Sequence, residues 1–215
     1  MAALTTLTPA IAVKVKGCPR PVLQYAYVRA ARQLCGESRW FRTSLEATLT
    51  IDLTQYDISP DSDALLEVVD VFDGQITSII NGVNDRILPL NKSDGADFDP
   101  NATAGQPDFF TYVPEAEIAF NRPPDQAYPV AFTLVCQPKN GVQEIPDALL
   151  NKWQRAIEAG ALEYLFSLVG QAWANKSESD RYGSAFRAGI SNAKADAERG
   201  YQSGSVTVRR RGWIV

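Results

Sequence analysis

The sequence predicts an α+β fold: a helical bundle built from both ends of the chain, an antiparallel β-sandwich or barrel inserted between them, and extended arms at the termini. Three observations predict it. Apolar residues recur every three to four positions near both ends but every second position in the middle. Net charge changes sign at the same two boundaries. Pro, Gly, Asn and Asp cut the middle into several short runs.

The charge pattern is the sharpest of the three. Residues 1–43 carry seven Lys/Arg against one Glu, a balance of +6. Residues 44–147 carry four against eighteen, −14, and residues 148–215 carry ten against six, +4. The total of −4 therefore hides a basic helical module and an acidic inserted one. The corresponding division is 1–43 for the N-terminal arm and first helix, 44–144 for the β insert, 145–201 for a C-terminal helical hairpin, and 202–215 for an extended tail.

Taken in order, residues 1–17 read as an extended arm. Cys18-Pro19-Arg20-Pro21 prepares a helix start, since proline is at home in a first turn. Leu23, Ala26/Tyr27, Ala30 and Leu34 give that helix its apolar stripe, and Gly36 is its expected stop. Arg29, Arg32 and Arg39 fall off the stripe, as a solvated face would. Trp40 and Phe41 follow as plugs against the C-terminal hairpin.

From Leu45 the period is two: Leu45, Ala47, Leu49, Ile51 and Leu53 alternate with polar neighbours, as in a half-buried strand. Runs 67–72 and 75–80 flank Asp73-Gly74, a strong hairpin signal. Shorter runs at 86–90, 109–113 and 117–120 follow a similar logic. Val130, Phe132, Leu134 and Cys136 alternate in the last strand, which Pro138 closes, and 91–108 is a long polar loop.

Ile145-Pro146-Asp147 opens the hairpin. Leu150, Trp153, Ile157, Ala161, Tyr164, Leu165 and Leu168 lie on one face of its first helix, which Gly170 ends. Asn175-Lys176-Ser177-Glu178 has the form of a capping box for the second helix. Tyr182, Phe186, Gly189/Ile190, Ala193 and Ala197 form its stripe, with Gly200 as the expected stop. The short link 171–175, containing Trp173, forces the two helices antiparallel. The predicted helical core is Leu150, Trp153, Ile157, Leu165, Phe186 and Ile190. Gly160, Gly183 and Gly189 each lose about 1 kcal/mol relative to alanine inside a helix. Something is expected to pack closely there, either another helix or a neighbouring subunit.

Several chemistries lack their residues. The chain has no histidine, which removes the commonest general base and metal ligand. Three scattered cysteines (Cys18, Cys35, Cys136) form no C-x-x-C pair and suit a reducing compartment without a disulfide frame or a zinc site. No phosphate-cradling glycine loop or nucleophile elbow is present. The expectation is a non-enzymatic protein without cofactor or metal. No apolar run is long enough to span a membrane, and Met1–Val15 lacks the charged start of a signal peptide. Asp97, Asp99, Asn101, Thr103 and Asp108 touch several positions of a calcium loop, but Ala102 stands where glycine is required and Asp108 where a bidentate Glu is. Arg209-Arg210-Arg211 can contact phosphates. In a chain whose pI is about 5.0, with its basic residues spread out, the expectation is non-specific proximity to DNA within an assembly rather than sequence-specific binding. Trp213, Ile214 and Val215 then form an apolar end that seeks a pocket on another surface.

Two segments resemble a known family. One is Tyr27-Val28-Arg29-Ala30-Ala31-Arg32-Gln33-Leu34-Cys35, followed by Trp40. The other is Ile145-Pro146 and Leu149-Leu150, then Ala156-Ile157, Gly160-Ala161-Leu162, Trp173 and Phe186-Arg187-Ala188-Gly189-Ile190. In order and spacing they are similar to the first helix and C-terminal helical hairpin of the head–tail adaptor (connector) proteins of tailed double-stranded-DNA phages. The resemblance covers about a third of the chain and does not reach the β insert or the Trp213-Ile214-Val215 end. It implies a structural virion protein of the phage neck, assembled in the host bacterial cytoplasm as a homo-oligomeric ring of twelve. It further implies a portal protein above, a tail nozzle, tube or fibre protein below, and DNA passing through. Arg209, Arg210, Arg211, Trp213, Ile214 and Val215 are the expected docking tail toward the portal or a neighbour. The rival readings are a tail-completion or head-decoration protein and, in another class, a carbohydrate- or calcium-binding β-module on a helical stalk.

Overall fold

The computed structural model describes residues 1–58, 65–80, 83–93, 102–113 and 117–202. The fold is mixed α+β: among the described residues, four helices accompany a curled mixed sheet.

The helical side draws on both chain ends. Helix α2 (Arg20–Ser38) packs against α3 (Asp147–Ser167) and α4 (Lys176–Gln202), which also pack on each other. One buried cluster joins Leu23, Tyr27 and Leu34 of α2 to Leu149, Ile157 and Leu165 of α3 and Phe186 and Ile190 of α4. Asn175 caps α4, its Oδ1 accepting from the Glu178 N–H at 3.2 Å. The reciprocal half of the box is replaced: the Asn175 N–H donates to the Phe166 carbonyl, and the Glu178 carboxylate pairs with Arg181 at 2.5 Å.

Several helix boundaries differ from expectation. Residues 4–12 are a helix, α1 (Leu4–Ala12), with Leu4, Ile11 and Val15 at 0–1% exposure. The apolar residues Leu4, Leu7, Ile11 and Val15 recur at helical spacing, with Pro9 inside the helix. Thr8 is also buried. Strand β1 (Ala2–Ala3) pairs with β9 (Glu144–Ile145), anchoring this segment to the start of α3. Gly36 does not stop α2. The helix runs on to Ser38, whose hydroxyl donates to the Leu34 carbonyl, and Arg39 makes the left-handed cap at φ 52°. Likewise α4 runs through Gly200 to Gln202.

Among the described residues seven strands form the main sheet, in the order β2-β8-β4-β5-β6-β7-β3. They are β2 (Arg42–Thr48), β3 (Gln55–Asp57), β4 (Leu66–Ile80), β5 (Val83–Lys92), β6 (Phe109–Val113), β7 (Glu117–Phe120) and β8 (Pro129–Pro138). All neighbours are antiparallel except β5 and β6, which are parallel. Parallel neighbours need a long connection, and the polar stretch beyond Lys92 supplies one. Phe110, Phe120 and Phe132 meet at the centre of the sheet's own buried cluster, with ring centroids 5.5 and 6.3 Å apart around Phe132. Strand β2 ends before Ile51 and Leu53, which are exposed.

The Asp73-Gly74 hairpin does not form. Both residues lie inside β4, where the register shifts between Val71 and Asp73. The Asp73 carboxylate accepts from the Gly74 N–H at 3.0 Å, as part of this bulge. A Cβ on Gly74 would stand 2.8 Å from the Phe132 ring and 3.0 Å from Phe110, so glycine is there for ring packing rather than for a turn. Strand β4 instead pairs with β5, with Ile80 beside Val83.

Of the three arginines expected on a solvated face, Arg32 and Arg39 tie the helices to the sheet and Arg29 packs on α3. Arg32 donates to the Pro138 carbonyl (2.7 Å) and to Glu67 Oε1 (2.8 Å), which also accepts from Gln137 at 2.5 Å. Arg39 pairs with Asp70 at 3.3 Å, and Lys92 pairs with the same carboxylate. Arg29 lies over the Tyr164 ring, 4.6 Å from its centroid. Burial alone would raise the Glu67 carboxyl; the hydrogen bonds from Arg32 and Gln137, with the charges of Arg32 and Lys139, outweigh it and hold the pKa below its usual value. A carboxyl depressed on folding adds stability above its unfolded pKa and loses it as pH falls through the folded one. Urea unfolding of Glu67→Gln is therefore expected to show a shallower loss of stability on acidification through pH 5 to 3 than the wild type; equal slopes would count against this network.

Candidate functional site

The joint between the first and last thirds of the chain centres on Trp40. This residue follows the α2 cap at Arg39, which turns the chain out of the helix and toward β2. Its indole Nε1–H donates to Asp196 Oδ2 of α4 at 2.6 Å, and its ring meets Trp153 of α3 edge-on at 5.8 Å. Lys152 reaches the same Asp196 oxygen at 2.5 Å and lies over both indoles. The hydrogen bonds from Lys152 and Trp40 hold the Asp196 carboxyl below its ordinary pKa. An open hollow of about 460 Å³ lies beside this joint, lined by Trp40, Arg42, Asp196, Ala197 and Gly200. The last described turn of α4 thus ends next to the start of β2.

The predicted helical core is brought together. Ile157, Leu165 and Phe186 are at most 1% exposed, Leu150 and Ile190 are at 7%, and Trp153 packs at the margin of the same cluster. The close approach inferred from the helix glycines is the α3–α4 crossing itself. A Cβ on Gly160 would lie 2.8 Å from the Phe186 ring, and one on Gly189 would lie 2.5 Å from the Ala156 Cβ. At Gly183 the obstacle is only the end of the Glu163 side chain. The chain's own helix fills these places, so the glycines give no argument for a neighbouring subunit.

Arg209, Arg210, Arg211, Trp213, Ile214 and Val215 lie outside the described residues, as do Asp97, Asp99 and Asn101 of the candidate calcium loop. Asp108, its twelfth position, is paired with Arg122 at 3.1 Å. Among the described residues no group of three or more Cys, Asp or Glu side chains is placed to hold a metal ion. Cys35 and Cys136 are fully buried, and burial pushes both thiols up, Cys136 to about 11, away from the thiolate that metal binding requires.

No protein-family model matches the chain, and no curated protein sequence matches it.

The sheet carries a second hollow, of about 420 Å³, at its outer face. Glu46, Thr48, Gln75, Thr77, Ile87 and Ala131 line it without an aromatic side chain. A sugar ring would find no face to stack on there. Sequence reading placed Trp40 against the C-terminal hairpin but missed its bond to Asp196. Period analysis counts apolar residues, and Asp196 is a polar, half-buried residue at the margin of the α4 stripe, one helical turn beyond Ala193.

Proposed function

We propose that this chain is a structural head-to-tail adaptor of a tailed phage, a non-enzymatic ring component seated below a portal. The reading is carried by the ordered resemblance of α2 and the α3–α4 hairpin to that family. It is supported by one buried cluster uniting residues from both chain ends. In this reading the helical bundle is the ring-forming body, probed by its basic charge toward neighbours and DNA, and the acidic β module is an insert shaped as a sandwich or barrel. The segment after Gln202 is the docking tail: Arg209, Arg210 and Arg211 supply charge, and Trp213, Ile214 and Val215 fill an apolar pocket on the portal or on a neighbouring copy. An apolar anchor, Trp213-Ile214-Val215, that orders on docking gives a joint made only at assembly. The −14 balance of residues 44–147 keeps DNA from sticking if the β module lines the channel.

The test is capture of the purified chain on portal rings, seen by electron microscopy. The full chain is expected to form a second, twelvefold tier under the portal. A chain lacking residues 205–215 is expected to stay folded by circular dichroism and to leave the portal bare. Equal incorporation of the shortened form would reject the docking role, and failure of the full chain to bind would reject the adaptor reading.

A further inference from the structure

We propose that the segment following Gln202 of each chain adds as a parallel strand to the open edge of its own β2. Strand β2 closes one side of the sheet: it pairs with β8 on one edge, and its other edge carries no strand among the described residues. Natural edges are usually blunted by lysine, proline or a bulge. β2 has none of these: it contains no Lys or Pro, and its register with β8 is unbroken over all seven residues. Its core-facing row is also unfinished. Leu45, opposite Phe132, is only half-buried, and Ala47, opposite Val130, is exposed.

The segment starts in the right place. Gly200 and Ala197 border the same hollow as Arg42, the first residue of β2, so the chain leaves α4 beside that strand's beginning. Thirteen residues, 203–215, remain. Extended, they reach roughly 43 Å, about twice the roughly 23 Å that β2 spans. The sequence fits as well. Counting Ser203 beside Arg42, a parallel strand sets Val206 beside Leu45 and Val208 beside Ala47, which completes the apolar row. Ser205, Thr207 and Arg209 then lie on the opposite face with Ser44, Glu46 and Thr48. Glu46 makes no ion pair among the described residues, and Arg209 comes one place beyond it on that face. Attachment at Gln202 gives the chain's own segment a high effective concentration at this edge, ahead of a second copy. Arg210 to Val215 would then emerge at the Thr48 end of β2. The proposal concerns the isolated chain and stands whether or not the adaptor reading does.

Hydrogen exchange of the full chain in the absence of any portal tests it, compared with a chain ending at Gln202 and with full-length Thr207→Pro. The proline removes a backbone donor and disfavours the strand without shortening the chain. Amides of residues 43–48 are expected to exchange at least about tenfold faster in both variants, with β4 and β5 unchanged. Equal protection of β2 in all three would overturn the proposal. Protection in the full chain that vanishes on dilution would also overturn it, assigning the edge to a second copy instead.

Discussion

Gly189→Val is expected to lower stability by about 3 kcal/mol, the upper part of the range for forcing atoms into a filled contact. At this position the space for a Cβ is already held by the Ala156 Cβ, with the Ala156 Cα 3.5 Å away. Backbone rather than a flexible side-chain end therefore has to move, and the two helices must part along their length. Gly183→Ala serves as the opposite control. It meets only the carboxylate end of Glu163, which can swing aside, so the gain in helix propensity of up to about 1 kcal/mol remains. Equilibrium urea unfolding of the two variants should give midpoints on opposite sides of the wild type. If both fell on the same side, the α3–α4 crossing would not be where the helices meet most closely.

That contrast also shows how far the sequence could be read. Glycine inside a predicted helix signalled close packing, and Gly160 and Gly189 carry it. Which surface did the packing was not legible, because a facing helix of the same chain and one from a neighbour leave the same mark. Asp73-Gly74 misled for a related reason. A dipeptide suited to a turn is equally suited to a bulge under two aromatic rings, and only the positions of Phe110 and Phe132 decide between them. In α1 the helical period is present in full at Leu4, Leu7, Ile11 and Val15, and only Pro9 argues against a helix there. Arg32 and Arg39 were assigned to solvent because period analysis ranks residues only as inside or outside. Their partners Glu67 and Asp70 lie 35 and 31 positions away, beyond any local pattern. As for the candidate site, the helical core was legible, whereas the Trp40–Asp196–Lys152 joint depends on a polar residue meeting an aromatic one across most of the chain.

Phe132→Ala should cost about 3–5 kcal/mol, since its ring fills the space between Phe110, Phe120 and the bare Gly74 backbone. The more telling outcome is where that loss is felt. Phe132 belongs to the sheet cluster, while Trp40, Trp153 and Trp173 all pack against the helical one. Tryptophan fluorescence therefore follows chiefly the helices, and the substitution is made in the sheet. The two halves are joined by Arg32 to Glu67 and Pro138, by Arg39 to Asp70, and by Phe41, which packs against both clusters. Those links make unfolding of the sheet expose the buried underside of α2, so the halves should melt as one cooperative unit. In Phe132→Ala the fluorescence midpoint in urea is expected to fall by as much as the far-ultraviolet circular dichroism midpoint. A fluorescence transition left at its wild-type position would mean that the helices stand without the sheet, and the arginine links would then be surface contacts of little weight.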